Sequence, residues 1–157
     1  MAYENTEVSV YKSQADINAL VSLHGGSGIG FESEPPHESF TAKIKLNGTP
    51  YIIRVGAKTK EIKAGHYQTP GGRWRSRNGA QAEEANNAER RRVWRVLFWH
   101  LKAVFEAADA GVIELRQAML AYVVMPDGTT ISEKILPRLD AIVTGQSRLL
   151  MPTQEAS

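Results

Sequence analysis

The residues best suited to chemistry lie in one polar stretch that runs from His66 to Gly79. Arg73, Arg75 and Arg77 alternate there with Trp74 and Ser76, and Tyr67 comes shortly before them. Guanidinium groups bind phosphates, and an aromatic ring offers a surface on which an unpaired base can stack. The pattern therefore predicts contact with a nucleic acid. In a competing interpretation, Trp74 anchors the stretch to the core and the arginines only cover it.

Further cations flank this stretch on both sides. Residues 54–102 hold 12 of the 19 Lys and Arg but only 4 of the 17 acids, so this part carries +8 and the rest of the chain −6. Such separation can draw a polyanion to one face, although a basic run can also be merely solvated. The predicted nucleic-acid-binding residues are Lys58, Lys60, Lys63, Tyr67, Arg73, Trp74, Arg75, Arg77, Arg90, Arg91 and Arg92.

Other chemical motifs are weak. The glycine-rich stretch 25–30 follows a predicted helix, whereas a dinucleotide fingerprint follows a strand, so a flexible connector is preferred. No two of the four histidines have the spacing of a metal site, and the Gly-x-Ser-x-Gly pattern of a hydrolase is missing from the sequence. We therefore predict no metal, no cofactor and no catalytic residue, although a site assembled from distant residues stays open.

Composition bears on the cellular setting. The sequence contains no cysteine, which suits a reducing compartment. Its longest apolar stretch, 93–105, is interrupted by Arg95, His100 and Lys102, and the first residues lack the pattern of a signal peptide. We expect a protein of the bacterial cytoplasm that has no membrane contact.

A chain of 157 residues fits one domain. We expect a β-rich part with one helix at 6–57, a basic mobile loop at 58–82, and a helical part at 83–145. The loop is assigned because apolar periodicity vanishes there, and loops of that length are usually functional or disordered.

A β-hairpin is the clearest predicted element. Residues 40–46 alternate apolar and polar side chains up to Asn47-Gly48, and an apolar stretch resumes at 51–55. Asn-Gly accepts the positive φ angles of a type I′ turn. Shorter patterns predict a strand at 6–11, a helix that carries Ile17, and a strand at 28–33.

The second half of the chain predicts helices. One long helix covers 83–110 and a shorter helix covers 114–124. A last helix begins at a capping-box pattern formed by Thr130 and Glu133 and is kinked at Pro137. Trp94, Phe98 and Trp99 fall outside the main apolar stripe of the long helix, so they are either buried centrally or covered by a partner subunit. We assign them to an oligomer interface. The expected fold is α+β, with a small antiparallel sheet and a central β-hairpin packed against the long helix and two shorter C-terminal helices.

The order of these elements is similar to the core of phage single-strand-annealing recombinases. The C-terminal part also resembles an uncharacterised family of phage and prophage proteins. The resemblance rests on a long helix that contains Trp94-Arg95, a Pro126-Asp127-Gly128 turn and a terminal Leu149-Leu150-Met151-Pro152. It implies a phage or prophage origin and no particular mechanism.

These patterns lead to two hypotheses about function. The first is an oligomeric, non-enzymatic protein that binds nucleic acid, with single-stranded DNA preferred, in recombination or replication. The second is a phage anti-defence effector that binds an acidic host protein or sequesters a small nucleotide signal through the same basic stretch.

Overall fold

The computed structural model describes residues 2–145 and shows an α+β fold, which confirms the predicted class. A three-stranded sheet is followed by a two-stranded one, with one helix before them and the other helices after them. The helices are α1 (Val10–Leu23), α2 (Gly79–Asp109), α3 (Leu115–Met119), α4 (Ile131–Ile135) and α5 (Leu139–Val143). The strands are β1 (Ser27–Glu34), β2 (His37–Leu46), β3 (Thr49–Lys58), β4 (Gly65–Gln68) and β5 (Trp74–Arg77).

The larger sheet is antiparallel in the order β1-β2-β3 and contains the predicted hairpin. Asn47 and Gly48 join β2 to β3 with φ angles of 52° and 78°, which are the left-handed values a type I′ turn requires. Every second residue of β2, from Phe40 to Leu46, is buried, so one face of the sheet meets the core.

Helices α1 and α2 complete the core. α1 contributes Ile17 and Val21, and the buried residues of α2 recur at helical spacing at Val93, Trp94, Leu97, Leu101 and Phe105. An ion pair of 2.8 Å between Asp16 Oδ2 and Arg95 Nη1 fixes the two helices to each other.

The predicted strand at 6–11 is wrong. Val10 already belongs to α1, whose N-cap is Ser9: its hydroxyl accepts a hydrogen bond from the Lys12 amide at 3.1 Å. Two alternating valines are too short a pattern to outweigh a favourable helix cap.

The C-terminal elements are shorter than predicted. α3 ends at Met119 in a 3₁₀ turn, and Val124 donates a backbone hydrogen bond of 2.8 Å to Ile52 at the edge of β3. The predicted capping box of Thr130 and Glu133 is confirmed, and the helix is interrupted near Pro137 by a 3₁₀ turn between α4 and α5. The Leu149–Pro152 motif lies outside the described residues.

Across residues 2–145, none of the helices combines the length and the apolar character needed to cross a membrane.

The end of α1 is fastened to the end of α2 through His24, which predicts a pH-dependent stability. The ring stacks on Phe105 at 4.0 Å, its Nδ1 hydrogen-bonds Leu20 O, and its Nε2 lies 3.0 Å from Asp109 Oδ2. Burial disfavours the charged ring, but the hydrogen bonds to Asp109 and Leu20 outweigh it and raise the pKa of His24 above its ordinary value.

Because the folded pKa is raised, this stabilisation is complete below the unfolded histidine pKa of about 6.5 and is lost as pH rises through the folded pKa. We expect the free energy of unfolding, measured by urea denaturation, to fall as the pH rises from the ordinary histidine pKa of about 6.5 through the raised pKa of folded His24. The fall should be smaller in Asp109→Asn, and an equal fall in both proteins would contradict this origin.

Candidate nucleic-acid interface

The stretch that the sequence predicted as a basic mobile loop at 58–82 contains a β-hairpin, which the sequence did not predict. β4 and β5 pair antiparallel from Gly65 with Arg77 to Gln68 with Trp74. We call residues 65–77 the basic ribbon. Its tip is a tight loop in which the Thr69 amide donates to Arg73 O at 2.9 Å.

The tip has a sequence signal that apolar periodicity does not capture. Pro70 fixes the φ angle needed after Thr69, and Gly72 takes a φ of 79°, as in a type I turn followed by a left-handed glycine. This Pro-Gly-Gly turn lies between Tyr67 and Trp74, two residues with high strand propensity. A turn between two aromatic strand formers could have predicted the hairpin.

Both ends of the basic ribbon are fastened to the first turns of α2. On the entering side, Ile62 N donates to Asn86 Oδ1 at 2.9 Å, and Asn86 Nδ2 donates to Ile62 O at 2.8 Å. On the leaving side, Asn78 and Gln81 form a reciprocal capping box at 2.8 and 2.9 Å. No residue from 60 to 81 is buried. The ribbon is therefore a protrusion with a fixed base.

The two faces of the ribbon carry different chemistry. Because side chains alternate along a strand, Tyr67, Arg75 and Arg77 share one face, and Trp74 lies on the other with His66. The Arg77 guanidinium carbon lies 4.2 Å from the centroid of the Tyr67 ring, which is a cation–π contact between diagonal neighbours. One side of the Tyr67 ring is thus already occupied, and the sequence did not predict this.

Trp74 decides between the two interpretations of the stretch. Its side chain is 71% exposed, so it does not anchor the ribbon to the core. Arg73 and Arg75 flank Trp74 in the sequence, and an indole this exposed is unusual because large aromatic rings are normally mostly buried. The anchor interpretation is therefore wrong, and Trp74 is available to a ligand.

The three predicted lysines lie before the ribbon rather than on it. Lys58 ends β3 opposite His37, and the Lys60 amide donates to Glu89 Oε1 at 3.3 Å. Lys63 lies closest to the ribbon, and its ammonium group is 3.6 Å from Glu61 Oε2. Neither Lys58 nor Lys60 has an ion-pair partner in the described part of the chain.

The arginine cluster of α2 serves the fold. Each member pairs with an acid of its own chain: Arg90 with Glu38 at 2.7 Å, Arg91 with Glu84 at 3.0 Å and Arg92 with Glu89 at 2.8 Å. The hydrogen bonds that Arg92 donates to Glu89 also hold the pKa of Glu89 below its ordinary value. These ion pairs compensate the charges of Arg90, Arg91 and Arg92 within the chain. Phosphate binding by the cluster stays a prediction.

The three aromatic residues assigned to an oligomer interface have different environments. Trp94 is 0% exposed, so it has no surface to offer a second subunit, and that assignment is wrong. Phe98 packs partly against the core. Trp99 is 38% exposed and stacks with Tyr3 at a centroid distance of 6.4 Å. For Phe98 and Trp99 an interface stays a prediction.

The sequence interpretation missed Glu38, a buried carboxylate in the core. It receives hydrogen bonds from Arg90 Nε at 2.7 Å, Trp94 Nε1 at 3.0 Å and Ser33 Oγ at 2.9 Å. A signal was present, because Glu38 falls on the same inward-facing phase of β2 as Phe40. A charged residue in that phase needs partners, and these were distant in sequence.

Together the fold and the site define an α+β protein with a protruding, cationic two-stranded ribbon that presents an exposed tryptophan. Within residues 2–145 no three side chains form a cluster that could hold a metal ion. No protein-family model matches the chain, and no curated protein or solved structure shows significant similarity to it.

Proposed function

We propose that this protein binds nucleic acid through the basic ribbon, as a binding protein and without catalysis, and that single-stranded DNA is the preferred form. The observation that carries the proposal is the 71% exposure of Trp74 between Arg73 and Arg75 on a ribbon with a fixed base. Cations next to an exposed ring supply both phosphate contacts and a stacking surface.

The proposed contacts follow from the two faces of the ribbon. A strand that crosses the tip meets Arg73 and Trp74 together, so one base stacks on the indole while the adjacent phosphate pairs with a guanidinium group. Arg75 continues the phosphate contacts along the opposite face, beside the Arg77–Tyr67 pair. A two-stranded ribbon also fits the major groove of a duplex, so duplex binding is the comparison to make.

The biological setting follows from the resemblance of the C-terminal part to phage and prophage proteins. That resemblance implies a phage or prophage origin and the cytoplasm of a bacterial host. The role in recombination or replication that we propose rests on nucleic-acid binding by the ribbon. Formation of an oligomer through Trp99 and Phe98 belongs to the same proposal.

Fluorescence anisotropy of labelled single- and double-stranded oligonucleotides tests the ribbon. Trp74→Ala should weaken single-strand binding about 5- to 150-fold, because stacking contributes about 1–3 kcal/mol per base. Replacing Arg73, Arg75 and Arg77 together by Ala should reduce the slope of log affinity against log salt by about 2, since about 0.7 counterion is released per phosphate on a single strand.

A matched control removes the same charge elsewhere. Lys43, Arg116 and Arg138 are exposed cations outside the ribbon, and their joint replacement by Ala should leave the salt slope nearly unchanged. An equal reduction of the salt slope in both triple variants would show that only the net charge of the protein matters, and it would contradict a ribbon site. Absence of binding to either oligonucleotide by the wild type would refute the proposal and favour an acidic protein partner.

A further inference from the structure

A cleft of about 670 Å³ lies at the foot of the basic ribbon, between the turn that joins β1 to β2, the chain segment after β3, and α2. Its volume falls within the range of about 300–1,000 Å³ that is typical of small-molecule sites. Its lining includes Pro35, Pro36, Lys58, Lys60, Asn87 and Arg90.

One part of the cleft lining is cationic. Lys58 and Lys60 make no ion pair in the part of the chain that the structure describes. Arg90 is oriented by Glu38, which accepts from Nε at 2.7 Å, and by Ser33, which accepts from Nη2 at 2.9 Å. The one acid in the lining, Glu61, lies 3.6 Å from Lys63. Two lysines beside a fixed guanidinium group are suited to a phosphate.

Other parts of the lining are uncharged. Pro35 and Pro36 offer two ring surfaces, which suit the flat face of a base or a sugar. Asn87 is exposed at the cleft, and its amide can both donate to and accept from the edge of a base. Asn86 also lines the cleft, but its amide is already used by both backbone groups of Ile62.

We propose that this cleft is a second site, separate from the ribbon, that binds a nucleotide. Its phosphate pairs with Lys58, Lys60 and Arg90, and its base packs on Pro35 and Pro36. Gly65, at the start of the ribbon, follows Glu61 of the cleft lining by four positions, a reach of at most about 14 Å. The nucleotide is therefore either a free mononucleotide or part of a strand that the ribbon holds.

Isothermal titration with dTMP and dAMP tests the cleft directly. The wild type should bind at least one of them saturably, and Lys58→Ala with Lys60→Ala should weaken binding at least about tenfold, as expected when charge-assisted hydrogen bonds to a phosphate are lost. The matched control is Lys43→Ala with Lys45→Ala, which removes two exposed lysines of β2 and should leave the affinity unchanged. The triple ribbon variant, Arg73, Arg75 and Arg77→Ala, should also keep wild-type affinity for the mononucleotide.

Oligonucleotide binding by the Lys58→Ala, Lys60→Ala variant distinguishes the two possible sources of the nucleotide, a free mononucleotide and a strand held by the ribbon. Weaker oligonucleotide binding assigns the cleft to a nucleotide of the bound strand, and unchanged binding assigns it to a free nucleotide. The inference is overturned if the wild type binds neither mononucleotide, or if the control or ribbon variant loses as much mononucleotide affinity as the cleft variant. Binding of oligonucleotides without binding of mononucleotides would therefore reject the cleft and leave the ribbon proposal standing. Binding of mononucleotides without binding of oligonucleotides would reject the ribbon and leave the cleft proposal standing.

Discussion

Replacing Glu38 by alanine is expected to lower the free energy of unfolding by about 3–5 kcal/mol. The carboxylate is fully buried and joins β2 to α2 through Arg90 and Trp94. Its removal leaves the Arg90 guanidinium group without its carboxylate and the indole N–H of Trp94 without an acceptor in the core. Chemical denaturation followed by circular dichroism measures the loss.

Two further variants identify the cause of that loss. Glu38→Gln keeps the size of the side chain and an acceptor for Trp94, but it removes the charge that pairs with Arg90, so a smaller destabilisation is expected. Glu34→Ala removes an exposed carboxylate of β1 and should change stability by no more than about 0.5 kcal/mol. If Glu38→Ala lowered the free energy of unfolding no more than Glu34→Ala does, the buried network would contribute nothing to stability.

Replacing Trp94 by alanine is the second large effect, with an expected loss of about 3–5 kcal/mol. The indole is wholly buried, its ring meets Phe31 edge-on at 5.6 Å, and its N–H donates to Glu38. Truncation leaves a cavity in the core and an acceptor with one donor fewer. Thermal and chemical unfolding should both report the loss.

Trp99 provides the matched control on the same helix. It is the same residue type, but it is 38% exposed and borders Lys102, so Trp99→Ala should cost much less than Trp94→Ala. A double-mutant cycle of Trp94→Phe with Glu38→Gln then measures the coupling between ring and carboxylate, for which about 0.5–3 kcal/mol is expected. Equal losses for Trp94→Ala and Trp99→Ala would contradict the assignment of Trp94 to the core.

The stability network and the proposed cleft share Arg90. The guanidinium group is held by Glu38 and Ser33 and also lines the cleft, so the core orients one of the cations proposed for the nucleotide phosphate. The lysines of the cleft lack such support, which is why they are the better residues to replace when the site is tested apart from the fold.

The sequence alone determined the elements whose signals are local. The Asn47-Gly48 turn with alternating apolar residues predicted the β2–β3 hairpin, because both turn angles and strand phase depend on adjacent residues. The capping box at Thr130 and the interruption near Pro137 were confirmed for the same reason. The length and position of α2 were also close, with the observed start at Gly79 rather than 83. The concentration of positive charge in the middle of the chain is likewise a property of sequence.

Only the tertiary structure decided how those charges and aromatic rings are used. Arg90 and Arg73 look alike in sequence, but Arg90 meets Glu38, a partner 52 residues away, whereas Arg73 lies on an exposed ribbon. Trp94 and Trp99 are similar neighbours on one helix, yet the sheet buries only Trp94. Burial and ion pairing depend on contacts between distant segments, and hydrophobic periodicity within one segment does not contain that information.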